Sequence, residues 1–275
     1  YGSKKGKDEI IAMTSSFHGR TIGDLSVGSN KKYKSEIGPV PGKVKFCKFN
    51  DVSHLKKLVN KKTIAIIIEF IQGDGGINIC SKTFAKAIKD ICKNKKILLI
   101  GDEIQGGIGR TGKIFAYKHY GVNPDIITSA KGLGSGIPIG ATIVKKYISN
   151  IISTGFHGST FGGGMLQTRV SYNVLKSINT KYFLNKVLIN GKLLSSLLRK
   201  MHDNHKDKIV DTRCLGLMAG IEFKNDEIAL KTYNKMARNG LISTLIQGKI
   251  IRLTPPLIVS KIEINKAILI VAKSL

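Results

Sequence analysis

The stretch ILLIGDEIQGGIGR, residues 97–110, begins with four apolar residues that do not alternate with polar ones. It then breaks at Gly101 into Asp102, Glu103 and a glycine-rich turn. An apolar run of this length without alternation reads as a strand buried on both faces, the kind found in parallel sheets. The acids then fall at the carboxyl end of the strand, where ligands of open parallel sheets gather. Working outward, runs at 64–68, 126–128 and 141–144 read the same way, and 9–13 is an earlier candidate. Helical segments lie between some of them. Residues 51–59 start at a capping Asp51. Residues 81–92 start at a capping Ser81 and carry Phe84, Ile88 and Ile91 at helical spacing. Strands alternating with helices predict an α/β fold with a mostly parallel sheet.

The character changes after about residue 177. A long amphipathic helix is expected over 184–202, a strand over 217–223, a helix over 227–239 and a strand over 249–253. A last helix follows Ser260, with Glu263 completing a capping box. This predicts a large domain over 1–178 and a smaller α+β domain over 179–275.

The length of 275 residues suits one large domain or two sharing a core. The apolar runs are far too short to span a bilayer, and residues 1–7 are polar with no apolar stretch and cleavage site after them. The expectation is a soluble, cytoplasmic protein without a membrane partner. Cys47, Cys80, Cys92 and Cys214 form no CxxC pair and no zinc spacing, so they read as reduced thiols with no metal site. The net charge of +27 raises a nucleic-acid partner. Only seven of the 45 basic residues are Arg, however, and the lysines are scattered without interleaved aromatics. That distribution fits solvated surface positions, and no nucleic-acid partner is expected.

Three polar residues sit just past predicted strand ends: Glu69, Asp102 and Lys131. Together they suggest a site. Two nucleotide-loop patterns nearby fail on inspection. GIGRTGK at 107–113 nearly matches a phosphate-binding loop, but Ile114 stands where Ser or Thr would hold magnesium, and the loop follows its supposed acid too closely. Gly107, Gly109 and Gly112 fit G-x-G-x-x-G without the following helix or the ribose-binding acid. In DIITSAKGLGSGIPIGA, 125–141, Lys131 ends a strand and glycines follow at 132, 134 and 136. These glycines would let a bulky ligand approach the backbone closely.

Six motifs in register then carry a resemblance over nearly the whole chain. They are FHGRT at 17–21, EFIQGDGG at 69–76, GDEIQGGIGRTG at 101–112, SAKGLGSGIPIGA at 129–141, HGSTFGG at 157–163 and RLTPPL at 252–257. The sequence resembles the class III (subgroup II) aminotransferases dependent on pyridoxal 5'-phosphate (PLP), and within them the acetylornithine aminotransferases. The resemblance implies an aspartate aminotransferase-like, fold type I α/β architecture. It also implies a homodimer and PLP-dependent exchange between a small-molecule amino donor, N-acetylornithine, and a 2-oxo acid, 2-oxoglutarate, in arginine biosynthesis. Ornithine, succinylornithine and succinyl-diaminopimelate are the related donors.

Residue by residue, the resemblance makes Lys131 the Schiff-base lysine and the catalytic base. An amine suits both tasks because it is nucleophilic and moves protons. Asp102 would pair with the pyridine nitrogen and keep it protonated. Gln105 would bond near the phenolic oxygen. Ile104 would pack under the ring and Phe17 on its other face. Thr160 would donate to the cofactor phosphate of the neighbouring subunit, and Ser159 would lie at the substrate. Arg20 would bind the carboxylate of the acetylated substrate, and Arg252 the α-carboxylate of glutamate or 2-oxoglutarate, because guanidinium pairs with carboxylate in bidentate fashion. An acid masks that arginine in related enzymes. Here the position is Asp74, one methylene shorter than the Glu of the family pattern. Arg110 reads as structural, tying down its turn.

The pattern is departed from at the front. The family carries roughly 120 further residues before this segment, a typical domain's worth, including a glycine-rich loop that cradles the cofactor phosphate. The large PLP-binding domain is therefore expected to be incomplete at its start, and a truncated, non-catalytic remnant is the alternative to an active enzyme. Phe70 replaces a Pro, Gly106 a Thr, and Gly164 and Met165 an Asn-Pro pair. These changes predict lower stability or activity than a typical member.

Overall fold

The computed structural model describes residues 1–2, 5–35 and 37–275. Along the chain run β1 (Glu9–Met13), α1 (Ile22–Val27), β2 (Lys43–Cys47), α2 (Val52–Leu58), β3 (Thr63–Ile68), β4 (Ile71–Gln72), β5 (Asn78–Ile79), α3 (Lys82–Lys95), β6 (Leu98–Asp102), β7 (Ile126–Ser129), β8 (Ala141–Val144) and α4 (Lys146–Ser149). After these come α5 (Met165–Ile178), α6 (Lys181–Asn204), β9 (Ile209–Leu215), β10 (Met218–Phe223), α7 (Asp226–Arg238), β11 (Thr244–Ile246), β12 (Ile250–Leu253) and α8 (Lys261–Ser274). The helix starts follow the caps in the sequence. Asp51, Ser81 and Ser260 each accept an N–H from the first turn, and Ser260 with Glu263 closes the capping box.

Six strands form one sheet in the order β2-β1-β3-β6-β7-β8. Five of them are parallel, which places the carboxyl ends of β3, β6 and β7 side by side. The exception is β8, which pairs antiparallel to β7, against the expectation of a buried parallel strand. Fewer than a dozen residues separate Ser129 from Ala141, too few for a parallel crossover. As an edge strand it is only partly covered, and Ile143 is 46% exposed. The parallel sheet and α3 enclose a core around Ile11, Ile66, Ile68, Phe84 and Ile88.

A four-stranded antiparallel sheet, β11-β12-β10-β9, lies in the second half. With α6, α7 and α8 it encloses another core, running from Val187 to Val271. Met218 on β10 belongs to the first core, so the two halves meet at that strand. Phe70 is 1% exposed and stacks on Tyr120 at 5.4 Å, so this replacement fills the core.

Among the described residues no helix is long and apolar enough to cross a membrane. No group of three potential metal ligands occurs among them either. The four cysteines are unpaired, and burial pushes the thiols of Cys47, Cys80, Cys92 and Cys214 up to about 12.

Candidate active site

The three sheet strands deliver their terminal polar residues to one region. Asp102 is the last residue of β6 and is 6% exposed. Its Oδ1 accepts from the Ile104 backbone N–H at 3.0 Å, and its Oδ2 lies 2.7 Å from Nδ1 of buried His18. A carboxylate can only accept, so the Nδ1 proton faces Asp102. The opposite nitrogen, Nε2, is buried without a partner in the structure. His18 had no role in the sequence reading. Its only signal was membership of the FHGRT motif.

Glu69 follows β3 and is 3% exposed. Burial, reinforced by the negative charge of Asp102, holds its carboxyl well above the usual range, against the weak N–H contact from Phe17 at 3.5 Å. Glu103 is fully buried, and burial raises it to about 7 despite N–H bonds from Ala116 at 2.7 Å and Tyr117 at 2.8 Å. Glu103 thus closes the loop after β6 and faces its backbone.

Lys131 stands two residues beyond β7, at the start of a single 3₁₀ turn, with φ of 45°. That left-handed conformation is uncommon for a side-chain-bearing residue. Leu133 N–H to Ala130 and Gly134 N–H to Lys131, both at 3.0 Å, brace it. Of the glycines that follow, Gly132 lines the same cavity as Lys131, whereas Gly134 serves the turn itself. A Cβ on Gly134 would lie 1.9 Å from the Ile137 carbonyl oxygen.

Lys131 lines a cavity of about 330 Å³ together with Ile104, Gln105, Asp74 and Arg252. The last three form a closed triangle. Arg252, reaching in from β12, donates through Nη1 to Asp74 Oδ1 at 2.9 Å and to Gln105 Oε1 at 3.2 Å, while Gln105 Nε2 donates to Asp74 Oδ2 at 3.2 Å. The shorter Asp74 therefore reaches the arginine directly. Its turn is set by Asn78, which donates to Gly75 O at 2.8 Å and to Gln72 Oε1 at 2.9 Å. Arg110 donates to Leu217 O at 3.1 Å and Pro255 O at 2.5 Å, the structural role read from its sequence.

Phe17 is half-buried and lines a neighbouring cavity of about 750 Å³ that also touches Asp74 and Tyr33. Arg20 is exposed, its guanidinium 3.8 Å from the Tyr33 ring centroid, and it lines neither cavity. Ser159 and Thr160 lie on an exposed stretch and line neither. The structure thus gathers Lys131, Ile104, Gln105, Asp74 and Arg252 around one cavity, with Asp102 buried two residues before Ile104. It leaves Arg20, Ser159 and Thr160 apart.

The sequence profile of the family described as Aminotransferase class-III matches residues 2–275. The chain belongs to the class-III aminotransferases. The acetylornithine aminotransferase of Methanocaldococcus jannaschii is 40% identical over 94% of this chain and 65% of its own length. Ornithine aminotransferase 1 of Staphylococcus saprophyticus is 39% identical over 97% of this chain and 67% of its own. The chain therefore spans about two thirds of the length of these relatives. The ornithine aminotransferase of Toxoplasma gondii superposes with a TM-score of 0.92 at 29% identity, covering 98% of this chain and 64% of that one. A second crystal structure of that enzyme shows PLP at its active site in partial occupancy. The family's α/β architecture, with a mostly parallel central sheet, is the fold of this chain.

Proposed function

We propose that this chain carries the catalytic core of a PLP-dependent aminotransferase acting on the terminal amine of an ornithine-type substrate, with N-acetylornithine as donor and 2-oxoglutarate as acceptor. The observation that carries this reading is the triangle of Asp74, Gln105 and Arg252 on the same cavity as Lys131. A cationic fork held by a competing acid suits a site that must pair with a carboxylate next to the reacting carbon in one half of the reaction and admit a donor with none beside its reacting terminal amine in the other. The relatives named for acetylornithine and for ornithine support the substrate class. Ornithine, succinylornithine and succinyl-diaminopimelate remain within the same chemistry, because a few pocket contacts separate them.

The donor set fits the cofactor. Asp102 is a buried acid whose two oxygens are braced by Ile104 N–H and His18, and it suits a protonated ring nitrogen. Ile104 and Phe17 offer apolar faces, and Gln105 a hydrogen bond. Lys131 offers an amine on the cavity wall. When bound, PLP supplies an electron sink for the carbon that loses its proton. Lys131 Nζ would take that proton as a base and give it back as an acid. Asp102 would keep the ring nitrogen protonated. Arg252 leaves Asp74 and pairs with the incoming α-carboxylate, while Arg20 receives the carboxylate of the acetylated donor. Thr160 and Ser159 act at a site shared with a second subunit, in a homodimer.

Titration of the chain with PLP, then with N-acetylornithine, tests the reading. A visible absorption band that forms, bleaches on adding the amine and is missing from Lys131→Ala is expected. A band in Lys131→Ala equal to that of the parent chain overturns it.

A further inference from the structure

Arg252 has a counterpart across the antiparallel sheet. Gly220 on β10 pairs with Arg252 of β12 on one side and with Arg213 of β9 on the other. Residues directly opposite one another in adjacent strands carry their side chains on the same face, so the two arginines flank Gly220 in one row. Glycine leaves a gap between them, and Ile77 fills it: a Cβ on Gly220 would lie 3.0 Å from Ile77 Cγ1. Ile77 is fully buried and has φ of 60°. For a β-branched residue that conformation is an outlier, held only where the surroundings over-determine it. The loop between β4 and β5 is thus pressed against the second sheet, with an arginine on either side of the contact.

Each arginine holds one polar residue of this hairpin. Arg252 takes Asp74. Arg213 donates through Nη1 to Asn78 Oδ1 at 2.9 Å. A guanidinium has no acceptor, so the Asn78 atom that faces it must be the amide oxygen. The Asn78 NH2 group then points into the turn and donates to Gly75 O at 2.8 Å and Gln72 Oε1 at 2.9 Å. With its oxygen so engaged, Gln72 donates through Nε2 to Thr14 O at 2.7 Å, just past the end of β1. Arg213 is itself aimed by Glu222, which accepts from Nη2, and by Asp211, whose Oδ2 lies 3.4 Å from Nε. It does not line the Lys131 cavity. We propose that Arg213 is a positioning residue of the Lys131 site: by fixing the amide of Asn78 it holds the turn in which Asp74 meets Arg252. It acts at one remove and touches no substrate. Its consequence for substrate choice rests on the masking of Arg252 by Asp74.

Hydrogen exchange read by mass spectrometry, comparing the parent chain with Arg213→Ala, tests the positioning without reference to any substrate. Backbone amides over residues 71–79 are expected to exchange faster by roughly tenfold or more, as for loss of a charged hydrogen bond, while those of β6 stay unchanged. Steady-state kinetics of the PLP-loaded chain test the consequence. Arg213→Ala should lower the KM for 2-oxoglutarate by about two- to fivefold, the shift expected on losing an exposed ion pair. Added to Asp74→Asn it should change that KM no further, since both act on one contact. Arg213→Lys, which also donates to the Asn78 oxygen, should recover most of both effects. Asn78→Asp keeps an acceptor for Arg213 but sets a carboxylate oxygen against Gly75 O and Gln72 Oε1, so it should reproduce Arg213→Ala. Should Arg213→Ala fail to fold, Asn78→Asp decides. The proposal is overturned by unchanged exchange over 71–79, by an increase spread evenly along the chain, or by KM shifts of Arg213→Ala and Asp74→Asn that add in full. Faster exchange over 71–79 with a KM for 2-oxoglutarate that even Asp74→Asn leaves unchanged supports the positioning and removes the mask.

Discussion

His18 and Asp102, 84 residues apart in the chain, meet at 2.7 Å with side chains only 2% and 5% exposed. The pair fixes the orientation of the one acid at the end of β6 that the cofactor reading requires. Loss of a hydrogen bond to a charged group costs about 1.5–3 kcal/mol. His18→Ala is therefore expected to weaken PLP binding by one to two orders of magnitude, read as the dissociation constant from the visible band. His18→Asn, whose amide nitrogen replaces Nδ1, should recover most of the loss. Equal affinities in parent and His18→Ala would remove His18 from the site.

The mask on Arg252 is a weaker device. Asp74 is 40% exposed on its side chain and Arg252 17%, so solvent screens the pair and it contributes about 0.2–1 kcal/mol. Asp74→Asn should lower the KM for 2-oxoglutarate by about two- to fivefold. Its effect on kcat for the donor half-reaction should be small. Steady-state kinetics with each substrate varied in turn separate the two. A KM that rises in Asp74→Asn contradicts the masking role.

Glu103 makes stability depend on pH in a defined direction. Its carboxyl is raised to about 7 by burial, against an unfolded value near 4.3. Below the lower value both states are protonated and the stabilising effect is fully present. Between the two values only the unfolded chain loses its proton, so stability falls as pH rises to about 7. The group accounts for about 3–4 kcal/mol over that window. Urea unfolding at pH 4.5 and 7.5 should show this fall in the parent and a smaller one in Glu103→Gln. The buried Glu69 adds a fall of the same sign, since its carboxyl is also raised.

Restoring the family threonine at position 106 should be harmful here. A Cβ on Gly106 would lie 2.9 Å from Ile71 Cγ2 and 3.2 Å from Ala116 Cβ, both in the core. Gly106→Thr is expected to cost about 1–3 kcal/mol through overpacking. A thermal midpoint in Gly106→Thr equal to or above that of the parent would show that the core yields at this point.

Much of this architecture could be read locally. The caps at Asp51, Ser81 and Ser260 announce their helices within four residues, and the uninterrupted apolar runs mark β1, β3, β6 and β7. β2 is the exception among the sheet strands: Lys43-Val44-Lys45-Phe46 alternates over only four residues, the mark of a half-exposed edge and too short to stand out beside the uninterrupted runs. β9, β11 and α5 also went unread, since their polar and apolar residues mix on partly exposed faces. The direction of β8 depends on its short connection, which a run of apolar residues does not encode. Within the site, Lys131 and Asp102 showed themselves as polar residues after strands. The contact of Asp74 with Arg252, across 178 residues, came only through resemblance, and that of His18 with Asp102 was not foreseen. Pairings at such separations are set by the tertiary fold, and the sequence around either residue carries no trace of them.

Arg110 gives the site a history as well as a shape. Its guanidinium waits for carbonyls 107 and 145 positions further along, and its own carbonyl accepts from the Leu217 N–H. On a growing polypeptide the strand end bearing Lys131 emerges long before Arg252, Thr254 and Leu257 exist to close the far wall of its cavity. The sheet can pair early, whereas the cavity must be assembled late, after slow closure of a long loop. Until then Lys131 has no opposite wall, so the site exists only once the last quarter of the chain has docked.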